Sequence, residues 1–279
     1  MKMINKNEIQ EQIVCAVDAV RRTNPLVGSV TNSVTINFVA NAQLAVGGSA
    51  AMVYLADEGE FLSGVGGAFY INIGTIIPLY EQSLPHIAGK LYEFGKPWVL
   101  DPVAVGIGTL RSCILTQFKA YKPSIIRGNA SEIIALAGLW GLDKATKSNV
   151  RGVDSTDAVS SAKASAIALA KWTGGAVAVS GATDLVTDGS VVVFSHGGSH
   201  YFEKITGAGC SLGGVAAVFA AVANPFVAAL SASAIYNLAG QRAEQKATGP
   251  GSFQSEFLDE LYRATPEDVA HNHFEIEEI

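Results

Sequence analysis

Apolar residues along this chain follow two alternating rhythms. Over residues 8–22, Ile9, Ile13, Val14, Ala16, Val17 and Val20 recur at helical spacing, which predicts an amphipathic first helix ended by Asn24-Pro25. A short apolar run follows at Leu26-Val27-Gly28, and Thr31 or Asn32 offers a cap for a second helix over residues 34–45, closed by Gly47-Gly48. A short strand is expected at residues 51–54. Residues 68–75 and 97–103 are apolar runs that end in polar residues, the pattern of strands buried on both faces of a parallel sheet, with a helix over 79–94 between them. Residues 124–134 repeat the order of short strand, polar residues and helix. Gly152-Val153-Asp154-Ser155 reads as a turn before a helix reaching residue 170, and residues 175–181 as another buried strand. Residues 184–189 and 191–194 predict an antiparallel hairpin. A glycine-spaced turn at 205–214 then opens a long alanine-rich segment, followed by helices over 228–248 and 253–262 that Gly249-Pro250-Gly251-Ser252 separates. The acidic residues 275–279 are expected to fray.

Alternating buried strands and helices predict an α/β fold in three layers, a mostly parallel central sheet with helices on both faces. With no repeat or low-complexity linker in the chain, residues 1–279 read as one domain. Apolar residues make up 49% and charged residues only 16%, so some helices should be buried on several sides or against another subunit, and an oligomer is expected. A formal net charge of −6, with no basic block carrying interleaved aromatics, argues against a nucleic-acid partner. Cys15, Cys113 and Cys210 are odd in number and far apart, which gives neither a disulfide framework nor a metal cluster and fits a reducing cytoplasm. Residues 1–12 are polar and hold no signal-peptide core. The membrane-like run at 212–235 is broken by Asn224-Pro225, so two buried helices explain it better than a bilayer span.

Three polar clusters punctuate this pattern. Asp101 stands at the carboxyl end of a predicted strand, where ligands bind in open α/β sheets; it suits Mg²⁺, orientation of a base, or simple strand termination. Arg127 brings a guanidinium fork suited to phosphate. Glu132 can hold a hydrated cation, and with Asn129 it also forms a capping-box pattern; the two uses are compatible. Gly207 and Gly209 allow close backbone approach at a helix start, where an anion is favoured, although a packing turn fits these residues equally well. Cys210 falls in that first turn, where the helix dipole favours a thiolate. A cation site, a positive charge and an anion-binding turn are the parts phosphoryl transfer needs. Neither a Walker motif nor a dinucleotide fingerprint is present. His196 and His200 lie in a hairpin-like loop and His271 and His273 in the acidic tail, with nothing in the sequence to join them, so they read as solvated surface residues.

An ordered set of stretches is more specific: Pro25-Leu26-Val27 with Thr31-Asn32, Asn37-Phe38 with Ala40-Asn41, Asn72-Ile73-Gly74-Thr75, Asp101-Pro102-Val103, residues 126–133, Gly152-Val153-Asp154-Ser155, Val186-Thr187-Asp188-Gly189, residues 206–210 and 249–253. In this set the chain resembles the hydroxyethylthiazole kinases of the ribokinase-like superfamily, from near residue 25 to near residue 262. The resemblance implies ATP-dependent, Mg²⁺-assisted phosphorylation of the primary hydroxyl of hydroxyethylthiazole in the thiamine pathway, by a homotrimer with active sites between subunits. It implies ATP contacts at Arg127 and Ser180, the latter in place of the usual threonine, and thiazole contacts at Met52 and Gly207. Asp101 and Glu132 would serve the Mg²⁺ and phosphate region, and Cys210 stands where many ribokinase-like enzymes have a catalytic aspartate. On its own residues Met52 reads first as core filling and only second as a pocket-lining residue. Three departures stand out: Gly28 and Tyr54 replace family histidines, and residues 104–108 differ from the usual glycine-rich continuation. They keep open a kinase for another heterocyclic alcohol, such as a pyrimidine or pyridoxal, or an idle ligand-binding homologue.

Overall fold

The computed structural model describes residues 5–142 and 159–279; the turn expected at Gly152-Val153-Asp154-Ser155 lies outside them. The chain opens with helix α1 (Lys6–Thr23), capped by the Asn5 side chain and ended by Asn24 in the left-handed region, φ 46°. There follow β1 (Leu26–Val30), α2 (Ile36–Ala45), β2 (Ser49–Met52), α3 (Ala56–Val65), β3 (Ala68–Asn72), α4 (Tyr80–Glu93), β4 (Trp98–Asp101), α5 (Thr109–Phe118), β5 (Ile125–Asn129) and α6 (Ala130–Leu139). The second half holds α7 (Lys163–Thr173), β6 (Ala176–Ser180), β7 (Asp184–Thr187), β8 (Val191–Ser195), α8 (Ala208–Ala220), α9 (Pro225–Glu244), α10 (Pro250–Arg263), α11 (Pro266–Ala270) and β9 (Phe274–Glu278).

The nine strands among the described residues form one sheet in the order β2-β1-β3-β4-β5-β6-β7-β8-β9. Pairings from β2 through β6 are parallel and the last three are antiparallel. A core lies on each face. One packs α1, α2 and α8 to α11 against Val27, Tyr70, Val99 and Ile125; the other packs α3 to α7 against Phe69, Ile71, Leu100 and Ile126. Alternate residues of β3 thus serve opposite layers, as the apolar run required. The expected three-layer, mostly parallel α/β fold is the one observed.

The run at 212–235 resolves into α8 and α9, with Pro225 in the first turn of α9 and the Asn224 side chain accepting from the Val227 N–H at 3.0 Å. Among the described residues no helix is long and apolar enough to cross a membrane. Two expectations are corrected. The acidic C-terminus does not fray: Phe274 and Ile276 give β9 one apolar face, and the strand pairs with β8 in the register Ser195↔Phe274, leaving Glu275 and Glu277 on the opposite, exposed face. The same pairing joins His196 to His273, which the sequence had left unconnected, with ring centroids 4.6 Å apart.

Candidate active site

Strand order reverses between β1, which leads leftward to β2, and β3, which leads rightward, and the carboxyl ends beside such a switch point are where open α/β sheets bind ligands. Asn72, Asp101, Arg127 and Ser180 are delivered to that edge by β3, β4, β5 and β6. The first turn of α8 faces them. Its N-cap is Gly207 at φ 91°, a conformation open to glycine, where a Cβ would lie 2.8 Å from Thr35 of the β1–α2 turn. One turn-step on, the Arg127 guanidinium sits so close to Gly209 that a Cβ there would fall 2.6 Å from Nη1. Tyr236 of α9 donates to the Ala208 carbonyl at 2.7 Å and holds this turn in place.

The centre of the edge is a buried hydrogen-bond network. Asp101 Oδ2 receives the Tyr70 hydroxyl at 2.9 Å, the Asn72 amide at 3.1 Å and Arg127 Nη1 at 3.4 Å. The Tyr70 hydroxyl also lies 2.7 Å from the Cys210 carbonyl and accepts from Asn72 at 2.9 Å. Arg127 continues to Ser180, its Nε and Nη2 donating to Oγ at 3.2 and 2.9 Å. Asn32 bridges Asn72 Oδ1 at 3.3 Å and Cys210 Sγ at 3.1 Å. By contrast, Asp101 Oδ1, Thr31 Oγ1 and Thr35 Oγ1 are buried without a protein partner. Buried oxygens are rarely left unpaired, so three near one sheet edge point to a polar ligand there.

Electrostatics sharpen the picture. Burial raises the Asp101 carboxyl, against the pull of Arg127 and the donors on Oδ2. Burial, together with repulsion from Asp101, raises Glu132 to about 7, although it accepts the Asn129 and Ala104 N–H groups at 2.9 and 3.2 Å. Two buried carboxylates, one raised in part by the other, with a bare oxygen on Asp101, suit a divalent cation. Glu132 also completes the capping box of α6 with Asn129, so both of its expected uses stand together. For Arg127, burial disfavours the charge, but Asp101 and Glu132 outweigh it and the guanidinium stays protonated. The thiolate expectation is corrected at Cys210: burial first, then Asp101, pushes the thiol up, against the Arg127 charge and the Asn72 and Thr35 side chains.

Residues 17–267 match the profile of the hydroxyethylthiazole kinase family. The chain belongs to the hydroxyethylthiazole kinase family. It is 52% identical to the hydroxyethylthiazole kinase of Bifidobacterium longum strain DJO10A over 283 aligned residues, covering 95% of this chain and 90% of that one. It is 43% identical to that of Cereibacter sphaeroides strain ATCC 17029, covering 90% and 93%. Among solved structures, the hydroxyethylthiazole kinase protein of Pyrococcus horikoshii OT3 superposes with a TM-score of 0.85 at 32% identity, covering 96% of this chain and 99% of that one. The pyridoxal kinase of Staphylococcus aureus shares the fold at 14% identity, with a TM-score of 0.55 over 78% of this chain and 88% of that one.

Of the residues singled out for a hydroxyethylthiazole kinase site, Asp101, Arg127, Ser180, Gly207 and Cys210 converge, with Glu132 one helical turn behind them. Met52 stands apart at the end of the sheet-margin strand β2, lining a cavity of about 440 Å³ with Val53, Asp57, Glu58, Phe61 and Leu62. Asn32, weighed as a helix cap, instead reaches the Cys210 sulfur, and Thr35 is the α2 N-cap without a side-chain bond. Tyr70 escaped the sequence reading because it sits inside an apolar strand run and looks like core. At the departure Gly28, Phe69 takes up the missing volume: a Cβ there would lie 2.4 Å from the ring, on the face opposite Met52.

Proposed function

We propose that this hydroxyethylthiazole kinase family member transfers the γ-phosphoryl group of ATP to the primary hydroxyl of 4-methyl-5-(2-hydroxyethyl)thiazole, in thiamine biosynthesis or salvage. The observation that carries the reading is the meeting of Asp101, Arg127 and the α8 N-terminus at one buried edge, in a chain of this family. Phosphoryl transfer asks for positioning and charge neutralisation rather than covalent chemistry, and this edge offers both. Arg127, braced by Ser180, faces the ATP phosphates, and the free N–H groups after Gly207 receive the transferred group. Asp101 accepts the hydroxyl proton, its anionic form favoured by Tyr70, Asn72 and Arg127. Cys210 lies beside the acceptor hydroxyl and assists as a neutral thiol.

Asp101 and Glu132 would hold Mg²⁺, which when bound neutralises phosphate oxygens. Gly207 and Met52 contact the thiazole. Met52, on the margin strand β2, shares its cavity with the exposed Phe61, and Tyr54 and Leu55, which follow it in the chain, are exposed as well, which favours a homotrimer whose neighbours complete each site. The reading places one catalytic domain, residues 1–279, in the cytoplasm, with neither nucleic acid nor membrane as a partner. A coupled ADP-release assay over thiazole, pyrimidine and pyridoxal alcohols tests it: turnover with the thiazole alcohol is expected. Turnover only with another alcohol, or none, would refute it, and a monomer by light scattering would remove the shared site.

A further inference from the structure

The junction of β8 and β9 brings together groups the kinase reaction does not use. β8 ends at Ser195, opposite Phe274 of β9, so His196 faces His273 across the two strands, and Glu275 follows two residues on along the same face. Backbone bonds fix the geometry: His196 N–H donates to the His273 carbonyl at 3.0 Å, and the Asn272 side chain donates to the His196 carbonyl at 2.9 Å. His196 Nε2 lies 3.7 Å and His273 Nε2 4.0 Å from the same Glu275 oxygen, beyond hydrogen-bond length. The donor atoms of all three lie within 4.8 Å of one another. His196 Nε2 is buried without a hydrogen-bond partner. Next to the trio opens a cavity of about 400 Å³ lined by both histidines with His271, Asn272, Gln241 and Asp268.

We infer that His196, His273 and Glu275 form a binding site for a borderline divalent transition metal such as Zn²⁺, separate from the kinase centre. With bonds of roughly 2.0–2.1 Å, a tetrahedral ion holds its ligands about 3.3 Å apart, so the observed separations need only small side-chain movements. Glu275 supplies them, since its side chain is 64% exposed. Two imidazoles and one carboxylate suit zinc, nickel or copper better than magnesium, which prefers oxygen ligands and octahedral geometry. The fourth position opens toward the cavity and takes water. His273 and Glu275 lie past the matched family residues 17–267, the first just before the edge strand β9 and the second on it. Bound metal therefore staples the C-terminal edge strand to β8.

The test uses full-length chain made without a polyhistidine tag, stripped with EDTA and titrated with zinc chloride against a chromophoric chelator. One zinc per chain is expected, with a rise in Tm of several degrees at saturating metal. His196→Ala and His273→Ala should each weaken binding at least tenfold and abolish the Tm rise. The conservative His273→Gln, at a side chain 65% exposed, should do the same. Kinase turnover with Mg²⁺ and ATP should stay at the wild-type level in all three variants, which also reports that they fold. No uptake by the wild type, or uptake and stabilisation that persist in the His196→Ala/His273→Ala double variant, would overturn the site.

Discussion

Replacing Tyr70 by phenylalanine removes one oxygen and leaves the ring packed between β3 and α8. That oxygen joins Asp101 Oδ2, the Asn72 amide and the Cys210 carbonyl, all buried. A hydrogen bond to a charged partner contributes about 1.5–3 kcal/mol, and the Asn72 amide and Cys210 carbonyl each lose a neighbour as well. Asn72 and Arg127 still favour the Asp101 anion, so only part of the loss falls on its ionisation. If about 1.4 kcal/mol does, the Asp101 carboxyl rises by about one unit. In the proposed reaction the anion accepts the hydroxyl proton, so the acid limb of the kcat/KM profile should move about one unit toward higher pH. Urea unfolding should show a lower midpoint at unchanged slope, because the compactness of both end states is unaltered. A lower midpoint with an unmoved acid limb would refute the claim that Tyr70 holds Asp101 ionised and would leave it a packing residue.

Asp101→Ala should lose most of kcat, on the order of 10²–10⁴-fold, while Cys210→Ser keeps part of it; steady-state kinetics in the reverse order would exchange the two roles. Gly28→His should overpack against Phe69 and destabilise by about 1–3 kcal/mol, read as a fall in Tm, whereas an unchanged Tm would show that Phe69 has room to turn away. Burial holds Glu132 at about 7 against an ordinary 4.5, and Asp184 at about 6 against 3.8. Each group binds its proton more tightly folded than unfolded. Their contribution is therefore complete at low pH and is lost as pH rises through 6 and 7, about 3 kcal/mol for each in metal-free protein. Denaturation at pH 5 and 8 should show the fall, and Glu132→Gln should flatten the part near 7; a stability that rises over this interval would contradict the assigned burial. Saturating Mg²⁺ should likewise flatten the Glu132 part in the wild type, and an unchanged slope would count against Glu132 as a metal ligand.

The legible parts of this fold were those whose pattern is local. Apolar runs at 68–75, 97–103 and 175–181 announced buried parallel strands, and Asn224-Pro225 divided α8 from α9. Less visible were β1, whose Gly28 and Ser29 interrupt the apolar run, and α3, a short segment with a weak apolar face. β9 was missed for a different reason. Its glutamates suggested a solvated tail, and only the β8 partner makes Phe274 and Ile276 a strand face. The candidate site divides in the same way. Asp101, Arg127 and Gly207 carry their chemistry in residue type and position. Tyr70 and Asn32 acquire theirs through partners as many as 178 residues away, such as the Asn32 contact with Cys210.

The charges at the sheet edge also explain why a kinase of this kind should need a metal. Arg127 supplies one full positive charge, and it already faces Asp101 at 3.4 Å. Glu132 is a second carboxylate at this edge, and burial first, then repulsion from Asp101, pushes it up to about 7. The phosphates of ATP entering such an edge would add more negative charge than one guanidinium and a helix N-terminus can balance. Protonating Glu132 would relieve the repulsion but would remove a ligand. A divalent cation relieves it while leaving both carboxylates ionised, and the bare Asp101 Oδ1 is the oxygen available to it. If Asp101 and Glu132 serve the proposed Mg²⁺ site, metal dependence is the expected outcome, and it should be steepest above pH 7, where Glu132 no longer keeps its own proton.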